Sequence, residues 1–271
     1  MYSRNRESDF RSRLAPYALK FSHSNDAYRI PFNDQFVFVK VYGPKKPRIS
    51  YEIRKTLNLL GIRQPIEYLS PRDRKACEEN YLRHWREKGF CVPDVLVSPF
   101  PEYEDIPHLT TTFIEGMTLK MILHEGFSSF KDLLGNFIED ISKRHDLALK
   151  TKNNVLFHID ANTQNILWVK KQFYHVDFEM GRPWEAPMES ACREVSKFLI
   201  SVGEDLKPEE RHSAYTLFKK NYHHSDVLHF LYRSVNQRPF QKLHRRRNEK
   251  KKIENPRRVT LYDVMDYFNR K

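Results

Sequence analysis

The chain has 271 residues, a formal charge of +12 and a pI near 9.5, a length that fits one large domain or two lobes. A hydrophobic share of 39% with 13% aromatics is enough for a sizeable core and excludes a disordered chain. No run of 18 apolar residues occurs, the opening MYSRNRESDFRSR has no apolar h-region, and Cys77, Cys91 and Cys192 are widely spaced. The sequence therefore reads as having no spanning helix, signal peptide, disulfide framework or zinc ribbon, which suits a reducing cytoplasm. The positive charge admits an anionic partner such as phosphate, nucleotide, nucleic acid or an acidic lipid surface.

The first half reads as strands followed by a helix. Residues 28–30 and 36–42 are short aromatic and β-branched runs, and Pro31, Phe32, Asn33 and Asp34 between them carry turn chemistry. A polar helix is predicted over 71–88, with Ser70 as cap, Pro71 at its start and Gly89 at its end. Residues 94–98 and 108–114 read as two more strands around an acidic loop. Glu115-Gly116-Met117-Thr118 then reads as a connector. Over 127–149, Phe130, Leu133, Leu134, Phe137, Ile138, Ile141 and His145 recur at spacings of three and four, the helical period. Residues 155–158, 166–169 and 173–176 read as short strands, and helices are expected from 188 onward. The fold class is α+β.

The block His158-Ile159-Asp160-Ala161-Asn162-Thr163-Gln164-Asn165, followed by Val176-Asp177-Phe178-Glu179, carries the chemistry. Asp160 and Asn165 sit five apart on a loop that the flanking strands should fix. A hairpin of 166–169 with 173–176 would bring Asp177 close to Asn165. An Asp with an Asn supplies the oxygen donors that Mg²⁺ takes when it also holds waters and a substrate phosphate. The other Asp can orient or deprotonate a hydroxyl.

This block resembles the protein-kinase-like active site, H-x-D-x-x-x-x-N followed by D-F-x. The resemblance implies a bilobal fold with an antiparallel sheet plus one helix over 1–114. A mostly helical lobe would follow over 115–241, then a basic segment with a short helix over 242–271. It makes Asp160 the catalytic base, with His158 orienting the loop, and Asn165 and Asp177 the ligands of Mg²⁺. ATP would lie in the cleft between the lobes, its phosphates held by Lys40 of the run 36–41. Glu78 would pair with Lys40, because it shares a helix face with Leu82 and Trp85, whereas the neighbouring Glu79 is turned by about 100°. Glu115 in the connector would contact the nucleotide. Two features depart from the pattern. No G-x-G-x-x-G precedes Lys40, the corresponding turn being Ser22-His23-Ser24-Asn25-Asp26, and Glu179 stands where an activation-switch kinase has Gly.

The run Val176-Asp177-Phe178-Glu179-Met180-Gly181-Arg182 is similar to the I-D-F-D-x-G-R of bacterial lipopolysaccharide kinases acting on Kdo or core heptose. Glu78 to Gly89 with Val92-Pro93, and the linker 113–119, resemble that family too. This implies a sugar or glycolipid acceptor. Aminoglycoside/choline-type and RIO-type kinases share the motifs more loosely, and Ala161 stands where these families usually have Leu. A RIO-like or other atypical protein kinase, or a nucleotide-binding pseudokinase scaffold, is the alternative.

Residues 242–258 hold nine Lys/Arg against two Glu, a net +7. They read as an exposed or mobile segment before a short helix at 261–268. Three partners are open to the segment: none, as a solvated tail or helix face; an anionic membrane surface, with the protein peripheral on its inner face; or nucleic acid, ranked last because no aromatics interleave the charges. His223, His224 and His229 read as surface or packing residues, and His145 as a satisfied buried histidine. Cys91 and Cys192, like Phe178 and Trp184, read as packing residues. Arg182 reads equally as a phosphate or acceptor contact and as half of a structural ion pair.

Overall fold

The computed structural model describes residues 2–19, 25–43, 69–125, 127–182, 185–236 and 241–269. Residues 22–24 of the expected phosphate turn, and Trp184, lie outside the described residues. The chain forms two units, Met1–Glu115 and Gly116–Lys271.

In the first unit, β1 (Asn25–Phe32), β2 (Gln35–Tyr42) and β3 (His108–Thr112) form an antiparallel sheet in that order. Asn33 and Asp34, at φ +46° and +60°, close the first hairpin. A two-residue turn that matches strand twist needs both residues left-handed, and Asn and Asp tolerate this best. Alternation along β2 puts Val37, Val39 and Val41 on one face and Phe38, Lys40 and Tyr42 on the other.

The valine face is covered by α1 (Tyr2–Leu14), whose Phe10 and Leu14 join Phe100, Tyr103 and Ile106 in one core. Phe10 stacks on Tyr103 at 4.6 Å between ring centroids. The sequence hides this helix because, among its described side chains, Phe10 and Leu14 are the apolar residues that it seats. On the other face lies α2 (Pro71–Glu87), begun by a reciprocal cap. The Ser70 hydroxyl accepts from the Asp73 N–H at 3.2 Å, and the Asp73 carboxylate accepts from the Ser70 N–H at 3.1 Å. Gly89, at φ +82°, lets the chain leave it.

Residues 94–98 are not a strand. Val95 forms one bridge to Thr111, and two further backbone bonds, Leu96 N to Thr110 O and Thr112 N to Asp94 O, hold the segment beside β3. The residues preceding and following it, Pro93 and Pro99, lack the N–H that a longer ladder needs.

The second unit has a small sheet in the order β4 (Met117–Thr118), β5 (Ile166–Val169), β6 (Gln172–His175). Gly116 is required at its entrance, because a side chain there would strike Val169 and the Trp168 carbonyl. The rest is helical. It comprises α3 (Leu119–His124), α4 (Phe127–Thr151), α5 (Pro187–Asp205), α6 (Pro208–Asn221), α7 (Ser225–Asn236), α8 (Gln241–Glu254) and α9 (Leu261–Asn269). Phe130, Leu134, Phe137, Ile138 and Ile141 of α4 are buried, as are Val195, Phe198 and Leu199 of α5. The architecture is α+β.

One further expectation is corrected here. Residues 155–158 are not a strand. Asn154–Leu156 is a 3₁₀ turn, fixed because the Asn153 side chain accepts the Val155 N–H at 3.2 Å. The basic run forms a helix over most of its length, and it is tied to α9 by Arg245–Asp266 and Lys252–Asp263 ion pairs at 2.9 and 2.6 Å. Among the described residues no helix is long and apolar enough to cross a membrane.

Candidate functional site

Lys40 lies in the middle of β2, opposite Ala27 of β1 and Leu109 of β3. Its ammonium meets the Glu78 carboxylate of α2 at 2.7 Å, and the Tyr42 hydroxyl donates to the same oxygen at 2.6 Å. Lys40 and Glu78 are both buried. A buried charge pair of this kind is stable only when each partner is hydrogen-bonded, and Tyr42 supplies the added bond. The neighbouring Glu79 turns outward to Arg83. Glu115 is 83% exposed at its side chain and lies 3.8 Å from Arg29, which stacks on the Phe36 and Phe113 rings.

In the second unit the loop of Asp160 and Asn165 runs from the 3₁₀ turn into β5 and is tied internally. The Asn162 side-chain oxygen accepts the N–H groups of Gln164 and Asn165 at 3.0 and 3.2 Å. The Asn165 side-chain nitrogen donates to the Asp160 carbonyl at 3.0 Å. That bond decides which end of the amide is nitrogen and leaves its oxygen as the end available to a cation. Val176 N donates to the Asn165 carbonyl at 3.0 Å, so the end of β6 is laced to the loop. Asp177 follows directly, with φ at +67°. Left-handed backbone is uncommon outside glycine.

His158 is fully buried, and its Nε2 lies 2.9 Å from the Val176 carbonyl, so Nε2 carries the proton and donates. Burial holds its pKa below the ordinary value, although Glu194 and the Val176 carbonyl pull the other way. The ring is neutral and joins the loop to the residue before Asp177. His175, on the neighbouring strand, is lowered to about 4, chiefly by burial.

The loop is held from below by α5, which the motif did not indicate. The carboxylate of Glu194 accepts the His158 backbone N–H at 2.9 Å. Lys197 pairs with the Asp160 carboxylate at 2.9 Å. The Ser201 hydroxyl accepts the Thr163 N–H at 3.0 Å, and the Thr163 hydroxyl donates to Asp205. Positions 194, 197, 201 and 205 step by three and four and so share one helix face. In the sequence such a stripe looks the same as the solvent side of an amphipathic helix.

Glu194 is fully buried, bound by both terminal nitrogens of Arg144 and, at 3.0 Å, by Nε2 of His145. Burial pushes its pKa up, but Arg144 and His145 outweigh that and hold it well below the usual carboxylate range. His145 is held neutral by burial, with the Tyr222 hydroxyl 2.6 Å from its Nδ1. Cys192 is buried, its thiol pushed up to about 12 mainly by burial. His224 packs against α4, 3.2 Å from the Ser142 carbonyl, while His223 and His229 are exposed. Arg182 pairs with Glu185 at 3.8 Å.

The chemistry of the residues fits Mg²⁺: an Asn amide oxygen and an Asp carboxylate are hard oxygen donors, and two such donors would leave positions for water and phosphate.

No family model and no curated protein matches this chain. Solved structures do. WaaP in complex with acyl carrier protein is similar at 10% identity and a TM-score of 0.47, with 83% of this chain and 90% of that one covered. The Rio2 kinase of Chaetomium thermophilum, as its ADP/Mg²⁺–phosphoaspartate complex, is similar at 12% identity and a TM-score of 0.47. There 79% of this chain and 65% of Rio2 are covered, so the chain spans just under two thirds of that structure.

Proposed function

We propose that the chain is an ATP-dependent phosphotransferase that moves the γ-phosphoryl group to a hydroxyl, with a lipopolysaccharide core sugar, Kdo or heptose, as acceptor. The observation that carries the phosphotransfer reading is the loop 158–165. It holds Asp160 and Asn165 on one internally bonded turn, and the Val176–Asn165 bond brings the backbone of Asp177 to it. The motif similarity in 176–182 supports the sugar acceptor.

In this mechanism Lys40, aimed by its bond to Glu78, which Tyr42 also holds, binds the nucleotide phosphates. Asn165 and Asp177 would hold Mg²⁺. The ion supplies charge neutralisation on the phosphates. The Asp160 carboxylate receives the proton of the acceptor hydroxyl as its oxygen bonds to phosphorus. His158 keeps the loop in register with Val176 and does not react. Positioning and charge account for most of the rate.

A RIO-like or other atypical protein kinase is the second reading. It is favoured by α8, where Arg246 and Lys250 face solvent while Arg245 and Lys252 are held by α9. For the sugar kinase, 242–258 would instead rest on an anionic membrane, with the exposed Ile253 among its contacts.

The test is a thermal shift with ATP, with and without Mg²⁺, followed by transfer of labelled phosphate to Kdo-lipid, heptose and protein acceptors. Binding to the native state raises the midpoint. A Mg²⁺-dependent rise that disappears in Asp177→Ala, with label on sugar, is the expected result. No rise in the wild type would leave a scaffold without nucleotide, and label on protein alone would favour the RIO-like reading.

A further inference from the structure

We infer that Lys197 is a catalytic residue, a cation delivered from α5 to the transferring phosphoryl group beside Asp160; this rests on the phosphotransferase reading above. Four residues of one face of α5 meet the loop, and three of them do so for structure. Glu194 holds a backbone N–H from a fully buried position. Ser201 and Asp205 fix Thr163. Lys197 differs from them. Its side chain is 53% exposed, and it touches the Asp160 carboxylate, which is itself partly open. An exposed ion pair adds little to stability, so packing gives no reason for a lysine there.

Charge does give a reason. From His158 through Val169 the chain has no Lys or Arg, and His158 is buried and neutral. The Asn162 side-chain oxygen is engaged within the turn. Asp160 must therefore approach an anionic phosphoryl group on a loop that supplies no positive charge of its own. Lys197 supplies it. A lysine ammonium has three donors on a flexible stem and binds phosphate as a point charge. One donor engages Asp160, and the rest are available to the phosphoryl oxygens.

In the transfer, the acceptor O–H bond breaks and its proton goes to Asp160. The acceptor oxygen bonds to the γ-phosphorus. The bond from that phosphorus to the ADP oxygen breaks, and the electron pair leaves with ADP. The positive charge of Lys197 offsets the negative charge on the equatorial oxygens.

The experiment uses the full chain with MgATP and follows ADP formation, with water as acceptor, in wild type, Lys197→Ala and Lys197→Arg. Nucleotide affinity and thermal midpoint are measured alongside. Lys197→Ala should lose turnover by about 10²–10³-fold, the usual cost of one transition-state donor. Its affinity for MgATP should stay within about twofold, because the interaction belongs to the transition state, and its midpoint within about 2 °C, because the residue is exposed. Lys197→Arg should retain most of the activity, and ammonium or methylamine should restore part of it to Lys197→Ala. An active wild type with an equally active Lys197→Ala overturns the assignment of Lys197 alone. A wild type that binds MgATP but forms no ADP overturns it together with the phosphotransferase reading. Lost turnover with an equal loss of thermal midpoint and no amine rescue makes Lys197 structural and also overturns it.

Discussion

At the scale of single residues, the loop separates groups that hold from groups that act. His158 is neutral and buried, so it sets position. Asp160 keeps its carboxylate partly exposed beside Lys197, as the base proposed for the acceptor hydroxyl must. Asp160→Ala should therefore lower phosphotransfer by about 10²–10⁴-fold while ATP still raises the thermal midpoint. Equal turnover in Asp160→Ala and wild type would remove it from the chemistry. The residue types and spacing of this loop were legible in the sequence, because Asp, Asn and Asp converge only if the chain turns between them. What fixes the turn was not legible. The Asn162 side chain and the Asn165–Asp160 bond act through geometry that several polar residues could supply equally well.

Among the elements, α5 is the one on which the loop depends. Arg144 and Glu194 form a fully buried pair. Removing one partner leaves an uncompensated charge, so Arg144→Leu should cost about 3–5 kcal/mol of unfolding free energy, read from urea denaturation. A loss under about 1 kcal/mol would mean that the pair behaves as a surface bridge. The cap of α2 is a smaller matter, and Ser70→Ala should cost about 1 kcal/mol. The start of α2, its inward face and both hairpins were readable from Ser-Pro, apolar spacing and turn residues. The α5 stripe was not, because polar residues on a helix normally mark its solvent side. Nor was α1, whose two seated side chains give too weak a period. The stretch 155–158 misled because Val-Leu-Phe is as apolar as a strand, while the Asn153 cap that turns it precedes it.

For the whole molecule, two consequences follow from charge. The first concerns acid. His145, His158 and His175 are all held below their ordinary pKa by burial. They stay neutral in the folded chain while the unfolded chain takes up protons below about pH 6.5. Stability is therefore full above that pH and falls as pH drops toward 4. His175 alone, lowered to about 4, accounts for about 3 kcal/mol across that window. Glu194 adds a further loss below the usual carboxylate range, since its folded pKa is depressed. Urea midpoints should hold between pH 7.5 and 6.5 and then fall toward pH 4.5, and a flat profile would contradict the burial of these rings. The second concerns the +7 of residues 242–258. Vesicles containing anionic lipid should retain the protein and release it as salt is raised, since each Lys or Arg contributes about 1 kcal/mol at such a surface. Retention that is absent, or indifferent to salt, would leave α8 a solvated helix.

Asp177 holds its carboxylate from a left-handed backbone, a conformation that costs a residue with a side chain of order 1 kcal/mol or more. Glycine would adopt it freely. Selection for heat resistance alone should thus enrich Asp177→Gly among the survivors, a variant more robust than its parent and stripped of the carboxylate proposed to hold Mg²⁺. In a library sorted on stability and then on turnover, this position should move in opposite directions in the two sorts.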